Sequence, residues 1–435
     1  MSQPVPKPTP QAGLRALRAI LTGRSVVPAL SVFHAETGDI FKLSALNFSA
    51  IMMAGPEAGR FILTDHRESF IWRLESDPIT ELLMHSVLVE DGETHDAMRS
   101  QLTPSLHRAM MTRYAAGMVA RTDQIIDTWA DGQRIDMLVE ARKIALLILM
   151  DSLFDVDFTP ELKRLWDSVI YLIKFISPGF WMFWRGVPKP GYKKYRAQMD
   201  DYLVQIIGIK RDLLAKNPTP DTMDMITYLI HVGMPPARIR DQLMTMLIAG
   251  HDTSTAQLSW VFHLLGQHPD ALIRAQTEVD TVLQARTPDA ENTASLVWVE
   301  QCLKETLRLY PPIHLGSRTA LHDLEFQGIH IPSGARVLYS IYLTHRDPKH
   351  WETADNFQPE RFDPGIKYDP YLYLPFGMGK RNCIGASFAQ TEGRIVLARV
   401  LQRVRLDATG APKVHVHMGA TLEPRPGVLL TVKKR

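Results

Sequence analysis

A chain of 435 residues, 45% of them hydrophobic, carries enough apolar material for a large core, and its net charge of +2 from 49 basic and 47 acidic residues leaves no basic patch for nucleic acid. Its two cysteines, Cys302 and Cys383, exclude a disulfide scaffold and suit a reducing, cytoplasmic setting. No stretch approaches the roughly 20 apolar residues of a membrane-spanning helix, so no transmembrane anchor is expected.

Prolines at positions 4, 6, 8 and 10 make residues 1–12 a flexible arm, and no Gly/Ser-rich linker or internal repeat divides 13–435, which is read as one domain. The segment from Ile40 to Met53 alternates and breaks at Leu46-Asn47, which predicts a hairpin, and Gly55-Pro56-Glu57 opens a short helix. From Thr94 to Leu283 the period is mostly helical. Its longest run opens at Pro235-Pro236 and closes at Gln267-His268-Pro269; as one helix these roughly 32 residues would reach about 48 Å. Strand character returns from Leu324 to Leu343, with turn signals at Gly328, Pro332 and Gly334. A helix is predicted from Ala386 to Val404 and a last strand from Val428 to Val432. The sum is a mainly α protein with small β-sheets.

Several segments break the local rules in ways that point to chemistry. Ile248-Ala249-Gly250-His251-Asp252-Thr253-Ser254 places a glycine, an acid and two hydroxyls at the centre of the long helix, against helix propensity. The plain alternative is a Thr253 hydroxyl bonded to the carbonyl four residues earlier and an Asp252 on a solvated face, with His251 in helix packing. In Phe376-Gly377-Met378-Gly379-Lys380-Arg381-Asn382-Cys383-Ile384-Gly385, three glycines turn backbone N–H groups towards a cysteine that has a cation two residues away. That is what a metal-bound thiolate requires, the alternative being a buried packing cysteine such as Cys302. Glu305 and Arg308 are an i,i+3 pair, and His95 and Arg99 an i,i+4 pair on one helix face; both spacings also occur as surface decoration.

The cysteine segment, F-G-x-G-x-R-x-C-x-G, resembles the proximal loop of the cytochrome P450 family. Ala249-Gly250-His251-Asp252-Thr253 is similar to that family's oxygen-binding groove, and Glu305-Thr306-Leu307-Arg308 with Phe357-Gln358-Pro359-Glu360-Arg361-Phe362 to its ion network. With His95 and Arg99 the motifs stand in the family's order from His95 to the C-terminus, His95 replacing a Trp frequent in relatives. The resemblance implies a cytochrome P450-type fold around haem b (iron protoporphyrin IX), with Cys383 as iron ligand and Phe376, Gly377, Ala249 and Gly250 beside the cofactor. His95, Arg99, Arg318 and Arg381 would meet its propionates, Asp252 and Thr253 would relay protons, and Gly250 would leave room for dioxygen. Glu305, Arg308 and Arg361 would form a structural network behind the loop.

By the same resemblance Leu247, Ile248, Ala249, Ile313, His314, Leu315 and Leu422 line the substrate cavity. Most are apolar, which suits a hydrophobic molecule such as a fatty acid, terpenoid or steroid. Phe175 to Trp184, five aromatics around a Pro-Gly break, falls where relatives carry a mobile lid, and also reads as a membrane-touching patch or aromatic core. No dinucleotide, flavin or iron-sulfur motif accompanies the loop, so electrons are expected from a separate ferredoxin or flavodoxin with its reductase, docking near Lys380. The expected activity is O2-dependent monooxygenation. A peroxide-driven oxygenase or isomerase, and a non-catalytic haem sensor or carrier, are the rival readings.

Overall fold

A computed structural model describes residues 3–23, 25–45, 48–178, 189–218 and 223–435. Among them the first helices are α1 (Pro10–Gly23), α2 (Val27–Thr37), α3 (Pro56–Arg60), α4 (Pro78–Leu83), α5 (Gly92–Leu106), α6 (Met111–Ile126), α7 (Met137–Phe154) and α8 (Thr159–Ile176). They are followed by α9 (Tyr192–Lys216), α10 (Met225–His231), α11 (Pro236–Gln267), α12 (Pro269–Leu283), α13 (Val297–Leu309), α14 (Ile341–Thr344) and α15 (Ala386–Arg403). None is long and apolar enough to cross a membrane among the described residues.

Helix α11 runs 32 residues, as its proline punctuation predicts: Pro236 supplies no N–H where none is needed, and Pro269 forbids continuation. It packs along α7, whose near-continuous apolar run from Ile144 to Met150 is buried on all sides. The two helices approach closely because Gly250 faces Leu149; a Cβ at Gly250 would lie 2.4 Å from Leu149 Cδ1.

The small sheets lie outside this helical core. β1 (Ile40–Ala45) and β2 (Phe48–Met53) pair antiparallel from Ile40↔Met53 to Ala45↔Phe48, the expected hairpin, whose turn residues 46–47 lie outside the described residues. They continue into a sheet ordered β1-β2-β8-β5-β3, with β3 (Phe70–Ile71), β5 (Leu315–Ala320) and β8 (Arg336–Ser340). Strand character was expected to persist to Leu343. It stops at Ser340, whose hydroxyl accepts the Leu343 N–H and caps α14. β4 (Arg134–Asp136), β12 (Leu429–Lys434) and β9 (Val404–Asp407) form a second sheet, while β6 (Leu324–Phe326) pairs β7 (Ile329–Ile331) and β10 (His415–Met418) pairs β11 (Leu422–Arg425).

The proline-rich start does not hang free. Gln3 exchanges backbone bonds with Gly328 and His330, Pro6 O accepts the Lys42 N–H at 2.8 Å, and α1 already begins at Pro10 with Ala12 buried. Prolines at alternate positions remove donors from one edge only, leaving the intervening residues free to pair. Of the aromatic segment, residues 179–184 lie outside the described residues; Phe175 is buried and stacks on Tyr192 with centroids 3.9 Å apart.

Candidate active site

The cysteine loop is shaped by its own backbone. Cys383 N–H donates to Phe376 O at 2.7 Å, Gly377 N–H to Leu374 O at 3.1 Å and Asn382 N–H to Gly379 O at 3.1 Å. Gly377 and Gly379 take φ of 67° and 71°, and a Cβ on Gly379 would fall 2.5 Å from Leu63 O, so only glycine fits there. Cys383 keeps accessible surface although protein encloses it, whereas Cys302 is wholly buried and packed in the core. Burial pushes the Cys383 thiol up, opposed by the Gly385 N–H and the charge of Arg99. This is a sulfur that lines a hollow, not one that fills it.

A cofactor also needs open surface on the buried elements around it, and α11 has such a stretch. Ala249 is exposed and Gly250 and Thr253 half-buried, in a helix whose residues from Gln242 to Ile248 are all buried. Thr253 Oγ1 donates to Ala249 O at 2.9 Å, the back-bond that its sequence position allowed. Asp252 is not solvated. It is 2% exposed, meets Arg142 Nη2 at 3.0 Å, and accepts from Thr421 Oγ1 at 2.9 Å. Arg142 is shared with Glu423 at 2.5 Å. A Cβ at Gly250 would meet Leu149, so this glycine also serves the packing of α11 on α7. His251 is fully buried against Leu247 O, and burial brings it down to about 4, so its ring is neutral.

The expected cavity residues divide. Ala249 and Ile313 are exposed and Leu315 half-buried. Leu247 and Ile248 point into the main core, and Leu422 is fully buried in the cluster with Phe41 and Met52, so these three line core rather than cavity. An i−1 or i−2 position on a helix faces away from the exposed residue, which is the physical reason for two of the misses. His314 is buried and neutral, brought down to about 4 by desolvation.

Cations gather beside the loop. From α5, Arg99 donates to Asn382 O and Oδ1 at 2.8 and 2.6 Å, gripping the residue next to the cysteine. His95, one turn earlier, is buried and bonded to Asp96 at 2.7 Å; desolvation lowers its pKa. Arg381 donates to Asp91 Oδ1 at 2.6 Å and to Glu90 O, and burial brings it down to about 10. Arg318 lies over the Tyr339 ring. Arg318 and Arg381 line one recess with Arg67, Asp91 and Gly92. Arg67, bonded to Asp96 at 2.9 Å, carried no motif and was missed. Three guanidiniums converge on one recess, where Arg67 meets Glu68 and Asp96 and Arg381 meets Asp91, while Arg318 donates to the neutral Ser317 carbonyl and is the cation best placed for carboxylates of a bound group.

Behind the loop, Arg308 and Glu305 form a bidentate pair at 2.7 and 2.8 Å with no exposed side-chain surface. The other Arg308 donors reach His345 O, Ala354 O and Asn356 O, while Arg361 Nε stands 3.4 Å from Glu305. His345, also unmarked in sequence, links this pair to the loop: its Nδ1 bonds Arg308 O at 3.3 Å and its Nε2 accepts the Leu374 N–H at 2.8 Å. Burial brings His345 down to about 3, which keeps Nε2 free to accept.

A mainly helical fold with a glycine-wrapped, accessible cysteine, an open stretch in its longest helix and arginines gathered beside the cysteine loop has the parts of a haem-thiolate protein. The Cytochrome P450 family profile matches residues 6–431. Cytochrome P450 139 of Mycobacterium tuberculosis is 30% identical over 93% of this chain and 97% of its own length. Cyclooctat-9-en-7-ol 5-monooxygenase of Streptomyces melanosporofaciens is 28% identical over 85% and 83% of the two chains. The fold of the cytochrome P450DA heme domain superposes with a TM-score of 0.87 at 24% identity, covering 100% of this chain and 98% of that one. The chain therefore belongs to the cytochrome P450 family and is a haem-dependent monooxygenase.

Proposed function

We propose that Cys383 would hold the iron of haem b through its thiolate and that the enzyme hydroxylates a hydrophobic small molecule of terpenoid type. The observation that carries the ligand assignment is the contrast between the two cysteines: Cys383 is accessible, with the Gly385 N–H bonded to it and the charge of Arg99 nearby, whereas Cys302 is buried in the core. The substrate class is supported by the apolar surface of Ala249, Ile313 and Leu315, and by relatives named for cyclooctat-9-en-7-ol and, in pentalenene oxygenase of Streptomyces avermitilis, pentalenene.

Bound haem supplies electron transfer and oxygen activation, to which a thiolate contributes electron density. The chain supplies position, exclusion of water and protons. Arg67, Arg318 and Arg381 would hold the carboxylates, with Arg99 bracing Asn382. Thr253 Oγ1 sits at the edge of the exposed stretch and, by giving up Ala249 O, can turn its proton into it. Asp252, once released from Arg142, would take a proton from solvent water and pass it to that hydroxyl. Glu423, already bonded to Arg142, keeps the guanidinium compensated during that release. Electrons would come from a ferredoxin or flavodoxin with its reductase, meeting the loop at exposed Lys380.

The test is Cys383→Ala. The variant is expected to lose the ferrous–carbonyl spectrum of an axial thiolate and all product formation; a spectrum like that of the wild type would overturn the assignment. Spin-state titration with terpenoid, fatty-acid and steroid panels then reads the substrate class, and a response confined to fatty acids would reject the terpenoid reading.

A further inference from the structure

Helix α1 packs with its smallest residues. Ala12 and Ala16 are buried, while Leu14, Leu17 and Leu21 are 64%, 53% and 71% exposed. Their i, i+3, i+7 spacing sets the three leucines on one face, and Val26, 42% exposed, follows just beyond. The helix contains no Asp or Glu and places Arg15 and Arg18, both exposed, next to leucines. Glu36 of α2 pairs with Arg15 at 3.1 Å, leaving that arginine 61% exposed in its side chain.

The place of this helix in the fold adds a second argument. Its partner α2 contributes Val27, Leu30 and Phe33 to the cluster that holds Val416, Met418 and Leu422 of β10 and β11. The turn between those strands touches the end of α8, where Ala420 N–H donates to Ser177 Oγ at 2.9 Å. At its other side Thr421 holds Asp252 and Leu422 N–H meets Pro312 O. The leucine face is thus two packed elements away from the strand turn that borders the site.

We propose that α1 docks the enzyme on an anionic lipid bilayer, its leucines entering the headgroup boundary and Arg15 and Arg18 meeting lipid phosphates. The protein lies on the membrane rather than crossing it. Leucines without an acidic neighbour on the helix, flanked by arginines, suit a negatively charged apolar boundary. A second copy would bring arginine against arginine, so charge favours lipid as the occupant. If the substrate is apolar, as proposed above, this docking gives direct uptake from the bilayer; that consequence rests on the substrate reading, whereas the docking does not.

The experiment is co-sedimentation of the full-length, haem-loaded protein with phosphatidylglycerol-containing vesicles and with pure phosphatidylcholine vesicles, at low and high salt. Binding is expected to the anionic vesicles, weakened by salt, and reduced about tenfold or more in Leu14→Gln/Leu17→Gln/Leu21→Gln, since Gln keeps the helix propensity. Arg15→Gln/Arg18→Gln is expected to lose the preference for anionic lipid. Ferrous–carbonyl spectra of the same samples show whether each variant retains its thiolate-bound haem, so failure of docking is distinguishable from failure of the haem reading. Wild-type protein left in the supernatant, vesicle binding untouched by the leucine variant, or a dimer on gel filtration that the leucine variant dissociates without any vesicle binding would each overturn the proposal.

Discussion

Asp252 and Glu423 compete for one guanidinium: Arg142 Nη2 lies 3.0 Å from the first and 2.5 Å from the second, and all three side chains belong to residues at least nine-tenths buried. Desolvation of Arg142 is outweighed by the two carboxylates, and its pKa rises. Removing the cation would leave two buried acids without compensation. Arg142→Gln is therefore expected to cost about 3–5 kcal/mol of stability in urea titration, with much of it recovered in Arg142→Gln/Asp252→Asn/Glu423→Gln. A loss below about 1 kcal/mol would show that water reaches the cluster.

Asp252→Asn separates the proton role from the structural one. An amide keeps an oxygen for Thr421 Oγ1 and the same volume, turns its NH2 towards an Arg142 that Glu423 still holds, and cannot carry a proton onward. Product formation is expected to fall about a hundredfold while haem content and substrate-induced spin shift stay unchanged. Equal turnover with an unchanged solvent isotope effect would confine Asp252 to holding Arg142.

At Gly250 two effects oppose one another. Alanine gains about 1 kcal/mol of helix propensity. Its Cβ would also stand 2.4 Å from Leu149 Cδ1, and overpacking of a tight core costs about 1–3 kcal/mol. Gly250→Ala should destabilise on balance by about 1 kcal/mol. Leu149→Ala in the same chain should remove the clash, so the double variant loses less than the sum of the singles. Strict additivity would place Leu149 and Gly250 apart.

What the sequence could show followed from how local the chemistry is. Gly377, Gly379, Arg381 and Cys383 sit within seven positions because one turn of backbone must wrap one sulfur, so their spacing is itself the signal. Helix α11 was legible from its prolines, and the Glu305–Arg308 pair from one helical turn. Arg142 and Arg67 reach their partners across folded distances and leave no spacing to read: Arg142 lies 110 positions from Asp252 and 281 from Glu423. The facing of a helix was equally out of reach. Leu247 and Ile248 adjoin Ala249 in sequence, yet the rotation of α11 against α7 gives open surface to Ala249 and core to these two neighbours.

Glu392 carries a pH dependence. Its carboxyl lies on α15, nine-tenths buried or more, and accepts the Ser254 hydroxyl at 2.5 Å; desolvation pushes it up to about 8 despite that bond. At neutral pH the folded protein holds this proton, whereas an unfolded chain, with the ordinary carboxyl value of 4.5, has released it. Folded protein binds more protons between those values, so rising pH removes stability through this window. His251, His263, His314 and His345 act in the opposite sense: depressed to about 4, 4, 4 and 3, they stay neutral when folded, and stability is lost as pH falls below 6.5 and the unfolded imidazoles protonate. Four histidine protons outweigh one carboxyl proton below 6.5, and between 6.5 and 8 Glu392 acts alone among these groups. Stability is therefore expected to peak near pH 6.5 and to decline by about 2 kcal/mol towards pH 8. In Glu392→Gln that alkaline decline should vanish while the acid limb remains, read as unfolding midpoints across pH; a variant that declines above 6.5 as the wild type does would show that Glu392 is ionised in the folded protein.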